Sequence, residues 1–552
     1  MDESTLDFSN LTARDTRLLN EIAERLKKPY TLFIDECCRK YGDNPLFWAT
    51  PLVSRNIYND GDTFLSMCRV SLATERIKNG HVSHITTVLE SEKKILETLV
   101  GSKIQVDTQE RKSFARSLKK KIKISFSFMT FCLQELSYMR HAGKTRCPVY
   151  ARPISVVITP VLSSCFNGRN YNDRYFSGIT EYQNVIFFPS LINNDSASSK
   201  DFVDRVENCD NYDFISPFSF LHSLDLFDIL KYWKLINKIK KDTYIFGDVN
   251  ITPVIQRCLE EGKANTPAFK GILARKIIRR MSEKGLPVDN FIIWYEGRPS
   301  DVMAASAIRE FFPGAGCVGF EGYPIPEVNP SLCVSDYQYR TRHSPDKMAI
   351  PGKAYEALAH GFCSDVPLLY IPILRNEYIL RPKRKAGKDR KTILVILSYW
   401  IPVSQGLLQC VCVYLQNHAG SCRVILKNHP VNKDFTISDY GLGDVGFTPE
   451  FITGSLNECL DSADVAVMSI GTSALEVVFA GVPLVMLCLG GQLAFTALPP
   501  GKCRDLCRVA YGERELSGAL DYWIAAPPPD NSALKGLLVE KNAKTIGRMF
   551  YK

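Results

Sequence analysis

The sequence lacks a long hydrophobic run, and this absence argues against a membrane-spanning helix. Its longest apolar stretch, Val482 to Leu498, is interrupted by Gly490-Gly491-Gln492, whereas a spanning helix needs about 20 apolar residues in succession. The acidic and polar start of the chain, Met1-Asp2-Glu3-Ser4, has no features of a signal peptide. We therefore expect a cytoplasmic protein that is soluble or lies peripherally on a membrane.

Metal-binding motifs are also missing. The chain has 18 cysteines, but its close pairs, Cys37-Cys38, Cys410-x-Cys412 and Cys503-x3-Cys507, do not form two Cys-x2-Cys units, so we expect no structural zinc. His81 and His84 have no evident third ligand. We predict no metal and no cofactor, and we interpret the cysteines as reduced thiols, several of them small core residues.

An excess of positive charge is present, and it is concentrated in two runs. The net charge is +9, and the runs are Arg116 to Lys123 and Arg381 to Lys391. One interpretation is a solvated helix face and a solvated linker. The other is attraction to an anionic membrane surface, to which each nearby Lys or Arg contributes about 1 kcal/mol. No nucleic-acid-binding motif accompanies the charge, so we expect no nucleic-acid partner.

The length of 552 residues predicts two or three domains. We predict a mixed α/β region over 1–150, a first Rossmann-like domain over 151–380 that would bind the acceptor, a basic linker over 381–391, and a second Rossmann-like domain over 392–552 that would bind a nucleotide.

The fold class predicted is α/β, with two Rossmann-like domains facing each other across a cleft and an extra mixed N-terminal region. Apolar runs alternate with helical or polar segments from Arg152 onward, which is typical of parallel sheets. The predicted strands of the first domain are 154–158, 185–188, 244–246, 290–295, 316–320, 331–334 and 348–352. Those of the second are 392–397, 424–426, 464–468 and 484–487. Before them, we predict helices over 13–28 and 32–41 and a strand over 84–89.

Two segments near the C-terminus carry the strongest functional signal. The run 423–426 ends in Lys427, Asn428, His429 and Pro430, and the run 464–468 ends in Ser469, Gly471, Thr472 and Ser473 before Glu476. Open α/β sheets bind ligands at the carboxyl ends of their strands. Small residues before a helix also favour phosphate binding. The alternatives are a packed histidine beside a proline and an ordinary helix cap.

A second candidate cluster follows the apolar run 290–295. Glu296 would lie at the end of that strand, and Arg298 and Asp301 would begin the next helix. A carboxylate at this position is a candidate general base. Alternatively, Glu296 only stabilises a helix start or pairs with Arg298.

These motifs resemble the donor half of GT-B glycosyltransferases of bacterial surface-polysaccharide synthesis, especially polysialyltransferases and polyol-phosphate polymerases. The block Tyr295 to Asp301, with Gly319 to Tyr323, resembles surface-carbohydrate biosynthesis proteins of O-antigen clusters, although this chain has Phe320-Glu321 where those proteins usually carry Gln-His. The resemblance covers roughly residues 240–500. It implies a cytoplasmic protein, peripheral at the inner membrane, that takes part in the synthesis of lipopolysaccharide or capsule.

The resemblance also implies roles for individual residues. Glu296 would take the proton of the acceptor hydroxyl, and His429 would meet the donor phosphate or carboxylate. The donor-binding residues would be Lys427, Asn428, Pro430, Ser469, Gly471, Thr472, Ser473 and Glu476, and the acceptor-side residues would be Arg298, Asp301 and Glu321.

The partners implied are a donor, most simply a CMP-activated nonulosonic acid, and a lipid-linked or oligosaccharide acceptor. Three other hypotheses stay open: a transferase of polyol phosphate from a CDP-alcohol, a nucleotide-sugar 2-epimerase, and a non-catalytic GT-B scaffold subunit of a polysaccharide assembly complex.

Overall fold

The structure is a computed structural model of the chain. It describes residues 4–550 except 59–61, 102–103, 111–113, 143–149, 151, 174–175, 177–183, 191–197, 323–325, 374–390, 419–420, 444–448, 500, 502, 504 and 528. The predicted basic linker 381–391 lies outside the described residues, apart from Lys391.

The elements are numbered here in chain order. The helices are α1 (Ala13–Tyr41), α2 (Thr63–Lys78), α3 (Glu90–Val100), α4 (Phe114–His141), α5 (Ser199–Glu207), α6 (Asp228–Ile239), α7 (Thr252–Gly262), α8 (Thr266–Glu283), α9 (Pro299–Phe311), α10 (Asp336–Arg340), α11 (Glu356–Ala359), α12 (Ile401–Asn417), α13 (Leu456–Leu460), α14 (Ala474–Phe479), α15 (Glu513–Ala525) and α16 (Ala543–Gly547). The strands are β1 (Thr5–Asp7), β2 (His84–Thr87), β3 (Gln105–Thr108), β4 (Ile154–Pro160), β5 (Phe166–Asn167), β6 (Asn170–Tyr171), β7 (Val185–Ser190), β8 (Ile245–Phe246), β9 (Val249–Asn250), β10 (Val288–Trp294), β11 (Gly316–Phe320), β12 (Lys347–Ile350), β13 (Leu368–Tyr370), β14 (Lys391–Ile396), β15 (Cys422–Lys427), β16 (Glu450–Phe451), β17 (Val465–Met468), β18 (Leu484–Leu487) and β19 (Cys507–Ala510).

The N-terminal region forms a small parallel sheet in the order β1-β2-β3, flanked by helices. Its first helix differs from the prediction. Instead of two helices, α1 is one helix of 29 residues that continues through Pro29. The Thr12 hydroxyl caps its start by accepting a hydrogen bond from the Asp15 N–H at 3.1 Å. The predicted strand near residue 84 is confirmed as β2.

The first large sheet has six parallel strands in the order β13-β12-β11-β10-β4-β7. Two predicted strands do not belong to it. Residues 245–246 form a small antiparallel hairpin with β9 instead, and the 331–334 segment begins in the 3-10 turn Pro330–Leu332. Both are short apolar runs, which periodicity alone cannot assign to a sheet.

The second large sheet also has six parallel strands, in the order β16-β15-β14-β17-β18-β19. Numbered within the domain, this is the Rossmann order 3-2-1-4-5-6. Alternate residues of β14 enter different cores: Ile393 and Val395 pack on one face, and Leu394 and Ile396 on the other. Both faces are therefore covered, which explains why the strand is a continuous apolar run.

These sheets confirm the predicted α/β fold class with two Rossmann-like domains and a mixed N-terminal region. The chain's end returns to the first sheet, because Asn290 Nδ2 donates a hydrogen bond to the Met549 carbonyl oxygen at 2.6 Å and Ile546 packs in that sheet's core. The domain boundaries themselves stay a prediction. In the part of the chain that the structure describes, no helix combines the length and hydrophobicity needed to cross a bilayer.

Candidate functional site

The second sheet places three strand ends at its topological switch point. Strand β14 lies between β15 and β17, and the connections from β14 and β17 lead to opposite sides of the sheet. Ligands of open α/β sheets bind in the crevice at such a point, beyond the carboxyl ends of the strands. The predicted residues around His429 and Thr472 follow β15 and β17, so the fold brings both motifs to this edge.

His429 lies at the start of a 3-10 turn, Pro430–Asn432, and is half-buried. Its Nδ1 accepts a hydrogen bond from the Val431 N–H at 3.2 Å. Its ring lies 5.5 Å from the Tyr399 ring, centroid to centroid. The turn therefore fixes the orientation of the imidazole, whereas Pro430 itself is exposed.

Asn428 and Lys427 are held differently. Asn428 is buried; its amide donates to the Phe435 carbonyl oxygen at 2.7 Å, and its side-chain oxygen accepts from the Tyr440 hydroxyl at 2.8 Å. Through these two bonds the Asn428 side chain stabilises the loop that contains His429. Lys427 is partly exposed, and its Nζ lies 3.5 Å from the Ile452 carbonyl oxygen.

The turn after β17 contains the predicted small residues. Gly471 has a φ of 147°, and a Cβ there would lie 2.9 Å from the Met468 methyl group, so this position favours glycine. Ser473 occupies the cap position of α14 without a side-chain capping bond. Its hydroxyl is therefore not used as an ordinary helix cap. Thr472 and Glu476 are half-buried, and Ser469 is buried.

Two aromatic residues at the same edge were not predicted. Tyr399 and Trp400 follow β14, their side chains are 47% and 43% exposed, and their rings lie 5.1 Å apart. Asn432 holds this turn to the His429 turn by donating to the Tyr399 carbonyl oxygen at 3.2 Å. The sequence signal was available, because Tyr399 and Trp400 come shortly after an apolar strand, at the end where open α/β sheets bind ligands.

In the first sheet, Glu296 follows the central strand β10 and is buried. Its carboxylate accepts hydrogen bonds from the Trp294 indole N–H at 2.6 Å and from the Asn56 amide at 3.2 Å. Arg298 Nη1 lies 3.9 Å from Glu296 Oε2. The geometry is therefore compatible with both interpretations of the sequence, in which Glu296 is either a candidate general base or an ion-pair partner of Arg298.

Asp301 shapes this turn from the start of α9. Its Oδ2 accepts the N–H groups of Glu296 at 2.8 Å and Arg298 at 3.2 Å. Burial, together with the nearby Glu296 charge, raises the pKa of Asp301 to about 7. Perturbed carboxyl groups of this kind are frequent at functional sites. Glu321, which follows the neighbouring strand β11, is also buried.

A second pair of charged groups, not predicted from sequence, interacts electrostatically with Arg298 through Lys270. Glu135 of α4 is buried, and burial raises its pKa, while the adjacent Lys270 of α8 opposes this shift. Burial lowers the pKa of Lys270, as does the nearby Arg298 charge. The cluster therefore extends from the β10 edge to α4.

The N-terminal region joins the two sheet edges. Asn56 contacts Glu296, and two residues later the Tyr58 ring lies 5.0 Å from the Phe495 ring. Phe495 in turn forms an isolated parallel bridge with Ile470, inside the β17 turn. Residues 56–58, here called the bridge segment, thus connect the Glu296 carboxylate to the turn after β17.

A buried ion pair anchors the bridge segment. Arg55 donates to Asp35 at 3.0 Å and to the Cys333 carbonyl oxygen at 2.6 Å, and Ser335 donates to the same Asp35 oxygen at 2.6 Å. Gly297, at φ 65°, lets this arginine approach, because a Cβ there would lie 3.2 Å from the Arg55 Cβ. No local motif could have predicted the contacts with Cys333 and Ser335, which lie 278 and 300 positions from Arg55 and Asp35.

Comparisons with known proteins give only remote likenesses. No protein-family model matches the chain, and no curated protein matches it. Among solved structures, the lipopolysaccharide outer core galactosyltransferase WaaB is similar at a TM-score of 0.41 and 10% identity over 72% of this chain and 99% of that one. The UDP-GlcNAc 2-epimerase from Methanocaldococcus jannaschii is similar at a TM-score of 0.38 and 9% identity over 72% and 99%.

The wall teichoic acid polymerase TagF, in a variant form, is similar at a TM-score of 0.35 and 8% identity over 80% of this chain and 97% of that one. Likenesses at these scores carry no argument about chemistry, so the function is argued from the chain's own residues. Within the described residues, no group of three or more His, Cys, Asp or Glu side chains could hold a metal ion.

Proposed function

We propose that the chain is a GT-B-type glycosyltransferase that moves a sugar from a nucleotide-linked donor onto a lipid-linked or oligosaccharide acceptor of a surface polysaccharide. The observation that carries the proposal is the bridge segment, which joins a buried carboxylate at the edge of one Rossmann-like sheet to the switch-point turn of the other. A transferase needs a base and a leaving-group site in a fixed relation, since positioning alone lowers a barrier strongly.

In the proposed reaction, Glu296 takes the proton from an acceptor hydroxyl, whose oxygen then forms a bond to the anomeric carbon of the donor. The bond between that carbon and the donor phosphate oxygen breaks, and the phosphate leaves with the bonding electrons. Its growing negative charge would be stabilised by Lys427, His429 and the hydroxyls of Thr472 and Ser473. Asn56 and Trp294 hold the Glu296 carboxylate in place.

The donor we propose is a CMP-activated nonulosonic acid. Support comes from the pair of motifs that the sequence shares with the cytidine-nucleotide site of the resembling families, His429-Pro430 and the Ser/Thr-rich turn before Glu476. The fold brings both to one edge of the second sheet. The exposed rings of Tyr399 and Trp400 would offer a stacking surface for the base at that edge. The reaction would take place in the cytoplasm at the inner membrane.

A nucleotide-binding screen tests this proposal. Purified protein is compared by thermal shift and calorimetry in CMP, CDP, UMP, UDP and GDP, together with the variants His429→Ala and Glu296→Gln. Because a ligand at 100 times its Kd stabilises the fold by about 2.7 kcal/mol, CMP should raise the Tm clearly in the wild type and in Glu296→Gln but not in His429→Ala.

The outcomes separate the hypotheses. Stabilisation by CMP justifies transfer assays with CMP-nonulosonates and with CDP-alcohols, and release of CMP from only one class identifies the donor. Selective stabilisation by UDP would favour an epimerase. If no nucleotide stabilises the protein, the transferase proposal is wrong and the scaffold hypothesis replaces it.

A further inference from the structure

Helix α4 carries an apolar surface on the side that faces away from the protein. Five of its side chains are between 39% and 62% exposed, and they follow each other at intervals of four, three, four and three residues. We call them the outer stripe: Ile122, Phe126, Met129, Leu133 and Leu136. This spacing places all five on one face of the helix, over a length of about 21 Å.

The opposite face of α4 fixes the helix on the protein. Phe131 and Tyr138 are buried. The Phe131 ring lies 5.2 Å from the Phe269 ring of α8, and the Tyr138 ring stacks on Phe218 at 4.5 Å. The helix is apolar on both faces, and within the described part of the chain only the inner face packs against the fold, so the outer stripe needs another explanation. Apolar patches of this kind mark interaction surfaces.

The charges of α4 decide between possible occupants. Among the α4 side chains that the structure describes, Lys123 and Arg140 are basic and Glu135 is the one acidic residue. Glu135 lies on the inner face and is buried, whereas Lys123 and Arg140 are exposed beside the stripe. A second copy of the helix would bring these like charges together, which destabilises a helix pair. An anionic surface is complementary to them.

We propose that α4 is an interfacial helix that docks the protein on an anionic bilayer, with the outer stripe in the boundary between headgroups and acyl chains. Apolar residues on one face and basic residues beside them are the features of helices that lie in the membrane plane. The neighbouring 3-10 turn Ser223–Phe227 packs against α4 and exposes Leu224 and Phe227 at 73% and 58%, which adds apolar surface next to the helix.

The docking surface and the first-sheet cluster share one helix. Glu135 on the inner face of α4 interacts electrostatically with Lys270, and Lys270 with Arg298, whose Nη1 lies 3.9 Å from Glu296 Oε2. The surface that meets the bilayer is therefore the reverse side of an element that supports the candidate site. This proposal stands on the exposed stripe and does not depend on the transferase proposal.

Vesicle flotation of the full-length protein tests the proposal. Vesicles of phosphatidylcholine alone are compared with vesicles that contain about a third phosphatidylglycerol. The wild type should float with the anionic vesicles, and the variant Phe126→Glu/Leu133→Glu should show a bound fraction lower by about tenfold or more. Leu32→Glu, at a 54% exposed leucine of α1, is the matched control and should float like the wild type.

Sedimentation velocity without vesicles completes the experiment, and thermal unfolding verifies that each variant is folded. Equal flotation of the double variant and the wild type would overturn the proposal. So would a wild-type dimer that the double variant dissociates while neither protein floats, because the stripe would then bind a second copy. Equal binding to neutral vesicles would overturn the role given to the charges.

Discussion

The carboxyl edges of the two large sheets differ in how they hold their chemical groups. At the first edge, Glu296 and Asp301 are buried and linked to each other. At the second, His429, Thr472 and Ser473 are half-exposed, beside the open rings of Tyr399 and Trp400. A buried carboxylate suits proton transfer, which needs a tuned group. An open edge suits a soluble ligand that must enter and leave.

The N-terminal region explains this difference, because it covers the first edge directly. Residues 55 and 56 lie on the β10 turn, where the Arg55 N–H donates to the Gly297 carbonyl oxygen at 2.9 Å. On the second sheet, α1 contacts the loop after β18 instead, where Asn20 accepts from the Ala494 N–H at 2.6 Å. The same region therefore encloses one edge and leaves the other accessible.

The largest effect that would test the comparison is on catalysis at the first edge. Glu296→Gln keeps the shape of the side chain but removes the proposed base, so we expect kcat to fall by about 10²- to 10⁴-fold with nucleotide binding unchanged. The measurement is the rate of nucleotide release with donor and acceptor present. Glu283→Gln, at a carboxylate whose side chain is 52% exposed, is the control. An unchanged kcat in Glu296→Gln would remove the first edge from the chemistry.

The next effect is on stability, and it compares two arginines of the N-terminal region. Arg55 pairs with Asp35 in the interior, at 1% and 4% side-chain exposure, whereas Arg17 pairs with Glu515 of the second domain at 51% and 33%. Arg55→Met should destabilise the fold by about 3–5 kcal/mol, because it leaves the Asp35 charge buried without its partner. Arg17→Met should cost at most about 1 kcal/mol.

Urea unfolding measures both values, and Asp35→Leu/Arg55→Met adds an internal control. Since the double variant buries no uncompensated charge, it should recover part of the loss. Equal costs for Arg55→Met and Arg17→Met would mean that the N-terminal region does not enclose the first edge more tightly than it contacts the second sheet.

The sequence was most informative where strands are buried on both faces. Strand β18 was predicted with its exact bounds, and β14 and β17 within one residue, because continuous apolar runs between polar turns are typical of parallel strands. The segment 331–334 is a similar apolar run, and it is also buried in a core, but it does not form a strand of any sheet. The prediction that His429 and Thr472 lie at the same sheet edge needed only the strand order, because the carboxyl ends of parallel strands lie at one edge of a sheet.

The bridge segment could not have been predicted in this way. Asn56 and Glu296 are 240 positions apart, and nothing in the local pattern of Ser54 to Tyr58 marks a contact with a strand end. Such contacts depend on how separate units pack. They are determined by the shape and charge of the whole interface and not by a short motif. The roles of the site residues stay predictions until they are tested by mutation.

The last effect concerns pH and would sharpen the contrast between a buried and an open edge. Burial raises the pKa of Asp301 from 3.8 to about 7 in the folded protein. Between these values the folded state retains a proton that the unfolded state has lost, so the contribution of Asp301 to stability falls as the pH rises from about 4 to 7 and levels off above 7. The limiting slope for one proton is about 1.4 kcal/mol per pH unit.

Asp301→Asn removes this titration, so urea unfolding across that range should show the wild type losing stability relative to the variant. A constant difference between the two proteins from pH 4 to 8 would show that the first edge is as open to water as the second.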